Sequence, residues 1–409
     1  MSPPARTADL TAQPRRRVLL LSMHEVVHEG RLVRAATALA RVYDVEVIGW
    51  LRPERDTPAL RQTVAALPFR VRYVTVRWAS RLPKNLPGYG ARFVEVFARL
   101  LAAGLRERPW AVYPHGLEPL GVAYLLALVR HCRLVWDAYE LYPDQADFIV
   151  NHTRITHRLG ICYQRFLMRR CDEIIACNRH RAEIMYGEYG APFLPKVVRN
   201  LPPFKETSPG EARLLRFAQQ QNARIRRVIV HTGGIIGRGE VIFPALAEVP
   251  DDVGLVLVGY PNCNRSARMD ELLRTYGVGH RVFVHPVVPY AELQAHLSGA
   301  DLGLVTYPNT CRNNYYCAPT KLHEYAMAGV PVVAVDFPPC REMLDQYEYG
   351  CCFEPDNSTD LAAKIRACLE QPARHARMVA EARRAGREVN WELEQRKLME
   401  IFRTLEQRE

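Results

Sequence analysis

Short apolar runs alternate with amphipathic stretches along most of the chain, and the alternation breaks near residue 200 and then restarts. In the first stretch, Val18–Leu21, Val45–Gly49, Val71–Val76, Ala111–Tyr113, Leu134–Trp136 and Glu173–Ala176 read as strands. Arg31–Arg41, Arg92–Arg106, Leu117–Arg130 and Arg154–Arg170 lie between them with helical periodicity. The second stretch repeats the pattern with Val228–His231, Gly254–Val258, Val282–Val284, Leu302–Val305 and Val332–Val335, each followed by a helix. Runs that are apolar on both faces suit parallel strands covered by helices. The predicted class is therefore α/β, with two Rossmann-like doubly wound domains facing each other across a cleft. Asn200–Gly210, rich in proline and polar residues, reads as a linker. The expected boundaries are a disordered leader (1–16), a first domain (17–200), a linker (201–212), a second domain (213–388) and a C-terminal helix (389–409) that could return to the first domain.

Within this pattern, residues 315–336 (YYCAPTKLHEYAMAGVPVVAVD) are the most informative. Pro319 suits the first helical position, where its missing N–H is not needed. Gly329 can take the left-handed conformation that ends a helix, and Pro331 blocks its continuation. The helix start, with Thr320 and Lys321, then points off the edge of the sheet, where unpaired N–H groups and the helix dipole favour an anion such as a phosphate. Glu324 falls one turn further along on much the same face, placed to grip ribose hydroxyls. An ordinary helix with an exposed glutamate fits this segment equally well. A second candidate, HTGGIIGRG (231–239), follows a strand and opens a helix. Gly233, Gly234 and Gly239 allow close approach of a ligand, and Arg238 offers a guanidinium fork to a diphosphate. The spacing is not that of the dinucleotide fingerprint, so a structural glycine turn is the competing reading.

Composition narrows the field. The chain has 409 residues, 48% hydrophobic and 24% charged, as in an ordinary globular protein of two domains. Eleven cysteines without a C-x-x-C pair point to reduced thiols in a cytosol-like compartment rather than a disulfide framework or zinc ribbon. No apolar run approaches the roughly 18 residues of a membrane-spanning helix. The net charge of +11 is unevenly distributed. Residues 1–200 hold 30 Lys and Arg against 18 Asp and Glu, whereas the remainder is close to neutral. A basic first half suits an anionic partner, and no RNA-binding aromatic motif or zinc finger directs that charge to nucleic acid. An anionic membrane surface is one candidate partner, and Gly90–Arg108, an amphipathic helix with basic borders, could rest on it. The plain alternative is solvated arginines on helix faces.

His24-Glu25-Val26-Val27-His28 matches the H-E-x-x-H pattern of zinc hydrolases. That chemistry needs both histidines one turn apart on one helix and a third ligand. Here the motif directly follows a strand and Gly30 would weaken such a helix, so the helix is expected from Arg31. No metal site and no cofactor are predicted.

Taken together, these segments resemble the GT-B retaining glycosyltransferases of the family 4 type. The resemblance rests on the glycine turn with Arg238-Gly239, LVLVG (255–259), HPVVPYAEL (285–293) and ADLGLVTY (300–307). Pro319-x-Lys321-x-x-Glu324-Tyr325 and Ala328-Gly329-Val330-Pro331 complete it in the second half. The first half matches more loosely through Glu29-x-Arg31, RAATALA (34–40), Asp137-x-x-Glu140, CDEIIACN (171–178) and Arg199-Asn200. The resemblance implies that Glu324 holds the ribose, while Arg238, Lys321 and the helix start at Pro319–Thr320 hold the diphosphate of a nucleotide sugar. It also implies that the loop Asn313–Tyr316, with Asn314 and Tyr316, borders the donor sugar, and that His28, Arg31, His115, Asp137, Tyr139 and Glu140 lie on the acceptor side. The chain departs from the family pattern at three positions: Tyr316 stands where a second glutamate is common, Tyr139 where histidine is common, and Gly234 where a basic residue is common. The expected function is metal-independent, retaining transfer to a glycan or lipid-linked acceptor, by a cytoplasmic protein peripheral to the inner face of a membrane. A degenerate partner subunit and, less favoured, a zinc hydrolase are the alternatives.

Overall fold

The computed structural model describes residues 15–82, 86–145, 154–206, 212–235, 237–259 and 267–408. Most of the expected leader and part of the expected linker (207–211) lie outside the described residues. The first half forms a seven-stranded parallel sheet from β1 (Arg17–Leu21), β2 (Asp44–Trp50), β3 (Arg70–Val74), β4 (Ala111–Pro114), β5 (Arg133–Ala138), β6 (Glu173–Ala176) and β7 (Lys196–Val197). Its order is β3-β2-β1-β4-β5-β6-β7. The helices of this half are α1 (Gly30–Leu39), α2 (Pro58–Ala65), α3 (Leu86–Gly104), α4 (Leu120–Arg130), α5 (Arg154–Met168) and α6 (Arg179–Gly187).

The second half builds a six-stranded parallel sheet from β8 (Arg227–Thr232), β9 (Val253–Val258), β10 (Val282–Val284), β11 (Leu302–Val305), β12 (Val332–Val335) and β13 (Gly350–Phe353), ordered β10-β9-β8-β11-β12-β13. Its helices are α7 (Arg213–Gln221), α8 (Gly239–Ala247), α9 (Ala267–Thr275), α10 (Tyr290–Leu297), α11 (Arg312–Tyr315), α12 (Thr320–Ala328), α13 (Pro338–Tyr347), α14 (Ser358–Leu369) and α15 (Pro372–Glu388). Central strands such as β9 and β12 are buried at every position, as two helical layers require. Two strands escape the apolar pattern. β7 is only two residues long, and β13 is half-buried, pairing beside β12 with Gly350 where a Cβ would lie 2.1 Å from the Val332 carbonyl oxygen.

In both sheets the strand order reverses in the middle, between β1 and β4 and between β8 and β11. Loops leaving adjacent strands at such a reversal diverge and open a crevice, which is where ligands of doubly wound sheets sit. The reversals therefore place His115 and the segment after β1 in the first domain, and the 231–239 turn and Tyr307 in the second.

The last helix, α16 (Trp391–Glu406), belongs to the core of the first domain although the chain reaches it from the second. Phe402 is fully buried against Tyr43, Trp110 and Tyr113. Burial of a side chain of this size stabilises by about 1.5–3 kcal/mol. Glu394, also fully buried, accepts hydrogen bonds from the backbone N–H and Nε of Arg199 at 2.8 and 2.9 Å, fixing the helix to the end of the first domain.

Candidate active site

In the second domain, the hydroxyl of Tyr325 on α12 holds the end of β8. It accepts from the Thr232 N–H at 3.0 Å and donates to the Val230 carbonyl at 3.3 Å. The tyrosine ring fits there because residue 303 on β11 is glycine; a Cβ at that position would stand 2.6 Å from the ring. This contact sets the N-terminus of α12 beside the glycine turn. Pro319 is the N-cap rather than the first helical residue, and the helix starts at Thr320 without a side-chain cap. Gly329 ends it at φ 70°, as a left-handed stop should.

Lys321 reaches back from this helix to the turn. Its Nζ lies 3.4 Å from Nε2 of His231, which Thr306 Oγ1 also approaches at 3.3 Å. The other ring nitrogen, Nδ1, is buried without a partner among the described residues. Gly233 turns the chain at φ 75°, and a Cβ there would approach the Lys321 side chain at 3.8 Å. The Tyr307 ring completes the cluster, with the Arg238 guanidinium 5.3 Å and the Lys321 ammonium 5.6 Å from its centre. Arg238 donates to the Gly234 carbonyl, and Gly239 opens α8 next to it.

These groups are short of negative charge. Burial, and then the neighbouring Arg238, push the Lys321 pKa down to about 7, against a partial pull from Glu324. Burial, followed by Lys321 and Arg238, holds His231 neutral. Glu324 is itself buried, and burial raises its pKa against the opposing pull of Lys321, of Arg34 from α1 and of a hydrogen bond with Tyr290. Arg238 and Lys321 both lie over the Tyr307 ring, and Glu324 follows Lys321 by three residues on α12, on much the same face of the helix. A dianion entering here would meet two cations and an uncapped helix start, with a carboxylate one turn away for hydroxyl groups.

The first domain presents a different arrangement. Arg31 and Asp137, expected on the acceptor side, are buried and paired with each other. Arg31 Nη2 and Nε lie 2.7 and 3.0 Å from Asp137 Oδ1, and its Nη1 donates to the Val198 carbonyl at 2.7 Å. Two charges in the interior must pair in this way. His115, buried beside them, places Nδ1 2.8 Å from Asp137 Oδ2 and Nε2 3.3 Å from Glu29 Oε2. Burial alone would lower its pKa, but the bonds to Asp137 and Glu29 raise it above the usual imidazole value. Tyr139 stacks on His115, with ring centres 4.3 Å apart. His28 lies apart from this network, 67% exposed and bonded to Glu25 at 3.1 Å. The H-E-x-x-H stretch holds only a short 3-10 turn at Val26–His28 before α1 begins at Gly30, so its histidines do not share one α-helix. Among the described residues no cluster of metal-ligating side chains occurs.

Between the domains, Tyr139, Glu140 and Asn200 face Tyr307, Asn313, Asn314 and Ala318 around a cavity of about 120 Å³. Asn314 stays at this cavity. Tyr316, expected at the donor, is turned to the first domain: its ring packs on His180, and its carbonyl accepts from Arg181 Nε at 2.8 Å and Asn178 Nδ2 at 3.1 Å. Glu140 accepts from the Asn313 amide, whose oxygen in turn accepts from the Leu141 N–H at 2.9 Å. The chain around Asn313–Cys317 is therefore a latch between the domains. Arg181, fully buried, supports it by donating to the carbonyls of Tyr316, Tyr139 and Asn313.

Comparison with known proteins follows the same lines. Residues 241–385 match the family model described as glycosyl transferases group 1. No curated protein matches the chain. Among solved structures, HepE of Anabaena with UDP and glucose superposes with a TM-score of 0.73 at 16% identity, covering 95% of this chain and 100% of that one. Sucrose-phosphate synthase of Thermosynechococcus elongatus gives 0.73 at 16% identity, covering 97% and 100%. The lipopolysaccharide outer core galactosyltransferase WaaB gives 0.62 at 14% identity, covering 95% and 99%. The fold is GT-B. Within the GT-B frame, the group 1 match begins two residues into α8 and runs into α15, enclosing Tyr307, Lys321, Glu324 and Tyr325. His231 and Tyr307 escaped prediction as site residues, although His231 is the next-to-last residue of β8 and Tyr307 lies two residues past β11, the strands at the reversal of the sheet. Arg181 escaped because nothing in its local pattern reports partners more than a hundred residues away.

Proposed function

We propose that the chain is a glycosyltransferase that takes a sugar from a nucleoside diphosphate and passes it, with retention, to a glycan acceptor on or near a membrane. The observation that carries this reading is the placing of Arg238, Lys321 and the uncapped start of α12 around one point, with Glu324 a turn away. Breaking the bond between the sugar's anomeric carbon and the diphosphate leaves negative charge on a phosphate oxygen. Arg238, Lys321 and the helix N–H groups are the groups that would meet it, without a metal ion. Positioned donors of this kind contribute about 3–4 kcal/mol each. Glu324 would accept from the ribose hydroxyls, and the half-exposed Glu29, oriented through His115, would face the acceptor hydroxyl. The group 1 match, the UDP and glucose bound by HepE and the galactosyl transfer named for WaaB all support the same class. A cytoplasmic location beside the inner face of a membrane accords with this reading, and no helix among the described residues is long and apolar enough to cross one.

A second reading, a partner subunit without turnover of its own, is favoured by one observation. Tyr316 is turned away from the donor side and offers no carboxylate there. Incubating the purified chain with a panel of nucleotide sugars and membrane glycolipid extracts decides between the two. Release of nucleoside diphosphate with an α-linked product from an α-linked donor, seen by NMR, is expected. Donor binding without turnover at any acceptor would favour the partner subunit.

A further inference from the structure

Three neighbouring helices of the first domain leave large apolar side chains in solvent. On α5, Ile155 is 72% and Leu159 63% exposed; on α3, Val94 is 61% exposed; on α4, Val129 is 59% exposed. The three helices pack side by side. The Tyr163 hydroxyl of α5 occupies the notch left by Gly121 of α4, where a Cβ would meet it at 2.2 Å and Phe97 of α3 at 3.2 Å. Tyr124 of α4 meets Phe166 of α5 edge-on at 5.8 Å. Large apolar side chains left in solvent on helices that pack together mark an interaction surface.

Charge identifies what it meets. Neither α4 nor α5 contains an aspartate or glutamate. The acid of α3, Glu95, is buried and accepts from the N–H groups of Arg77 and Ala79 at 2.8 and 2.9 Å. Cations border the face instead: Arg158 and Arg169 are exposed, and Arg170 lies over the Phe166 ring at 3.5 Å. A two-fold contact with a second copy would set these arginines against each other. A surface that combines hydrocarbon with negative head groups satisfies both halves of the face. Its position is also suited to an acceptor. α4 begins five residues after His115, and His157 of α5 bonds to the Pro143 carbonyl at 3.0 Å, on the loop that follows Tyr139 and Glu140.

We infer that the α3–α4–α5 face docks the protein on an anionic lipid surface, so that an acceptor held in that surface meets the cleft. Its use in catalysis rests on the transferase reading, but the docking itself does not. The experiment is co-sedimentation of the full chain with phosphatidylcholine vesicles, with and without phosphatidylglycerol, for wild type, Val129→Glu/Leu159→Glu and Arg158→Glu/Arg169→Glu. Wild type is expected to sediment with the anionic vesicles, less so at high salt and weakly with phosphatidylcholine alone. Each double variant is expected to lower the partition about tenfold or more, while keeping the wild-type circular dichroism spectrum and the thermal shift with nucleotide sugars. Failure of wild type to bind anionic vesicles, or equal binding by both variants, would overturn the inference. So would sedimentation velocity showing a vesicle-free dimer that Val129→Glu/Leu159→Glu dissociates, because the face would then seat a second copy. Vesicle binding without sugar transfer would leave the docking intact and remove the transferase reading alone.

Discussion

The ammonium of Lys321 stands 3.4 Å from Nε2 of His231, on a helix start without a cap and within the field of Arg238. Burial and Arg238 together bring its pKa to about 7, so the empty site holds a cation that is half discharged near neutrality. A bound diphosphate restores the proton. Binding is therefore expected to take up protons above about pH 7 and to weaken as the pH rises further. Calorimetric titration of a nucleoside diphosphate in buffers of different ionisation enthalpy measures this directly; identical heats across buffers at pH 8 would refute it.

The same lysine makes a stability prediction of opposite sense to its role in binding. Because its folded pKa lies below its unfolded value, the unfolded chain binds more protons between about pH 7 and the ordinary lysine value, and stability rises with pH over that window. Below pH 7 both states are charged and the folded state bears the whole penalty. Lys321→Met should therefore stabilise the empty protein by about 1–3 kcal/mol at pH 6, while abolishing diphosphate binding. Urea denaturation of both proteins tests it, and a destabilised variant would contradict it.

Asp137 behaves in the reverse way. Burial alone would raise its pKa, but Arg31 and His115 hold it well below the usual carboxylate range. Its contribution to stability is complete above the unfolded carboxylate pKa and fades as the pH falls below it. Asp137→Asn leaves a buried guanidinium unpaired and should cost about 3–5 kcal/mol at pH 7. The deficit should shrink in acid, and denaturation midpoints at pH 7 and pH 3 would show it. An equal deficit at both would mean the pair carries no net charge interaction.

The latch between the domains predicts a kinetic effect remote from the chemistry. Arg181→Met removes the donors to the Tyr316, Tyr139 and Asn313 carbonyls. Hydrogen bonds to a charged group are worth about 1.5–3 kcal/mol, enough to open the cleft. Small-angle scattering should show a larger radius of gyration, and the donor KM should rise more than kcat falls. An unchanged radius with intact thermal stability would show that other contacts hold the domains together.

Legibility in the sequence followed the range of the interactions. The Gly329 stop, the Val332–Val335 strand and the turn after β8 are set by local backbone preferences and by apolar runs, so periodicity found them. The two-residue strand β7 and the half-buried β13 lack that signal. Glu324 and Lys321 could be grouped from helix spacing, because three residues fix one face. Tyr307 and His231 join them only through strand order, and strand order is not local. Motif matching placed Arg31 and Asp137 near a substrate, yet the fold buries them against each other, and it packs the Tyr316 ring on His180, more than a hundred residues earlier.

The central proposal is that Arg238 holds the diphosphate and Glu324 the ribose of one nucleoside diphosphate sugar. Calorimetric titration of such sugars and their 2′-deoxy counterparts into wild type, Arg238→Ala and Glu324→Ala tests it most directly. Each substitution should weaken binding about tenfold or more, and Glu324→Ala alone should erase the preference for ribose. Unchanged affinity in both variants would contradict the account.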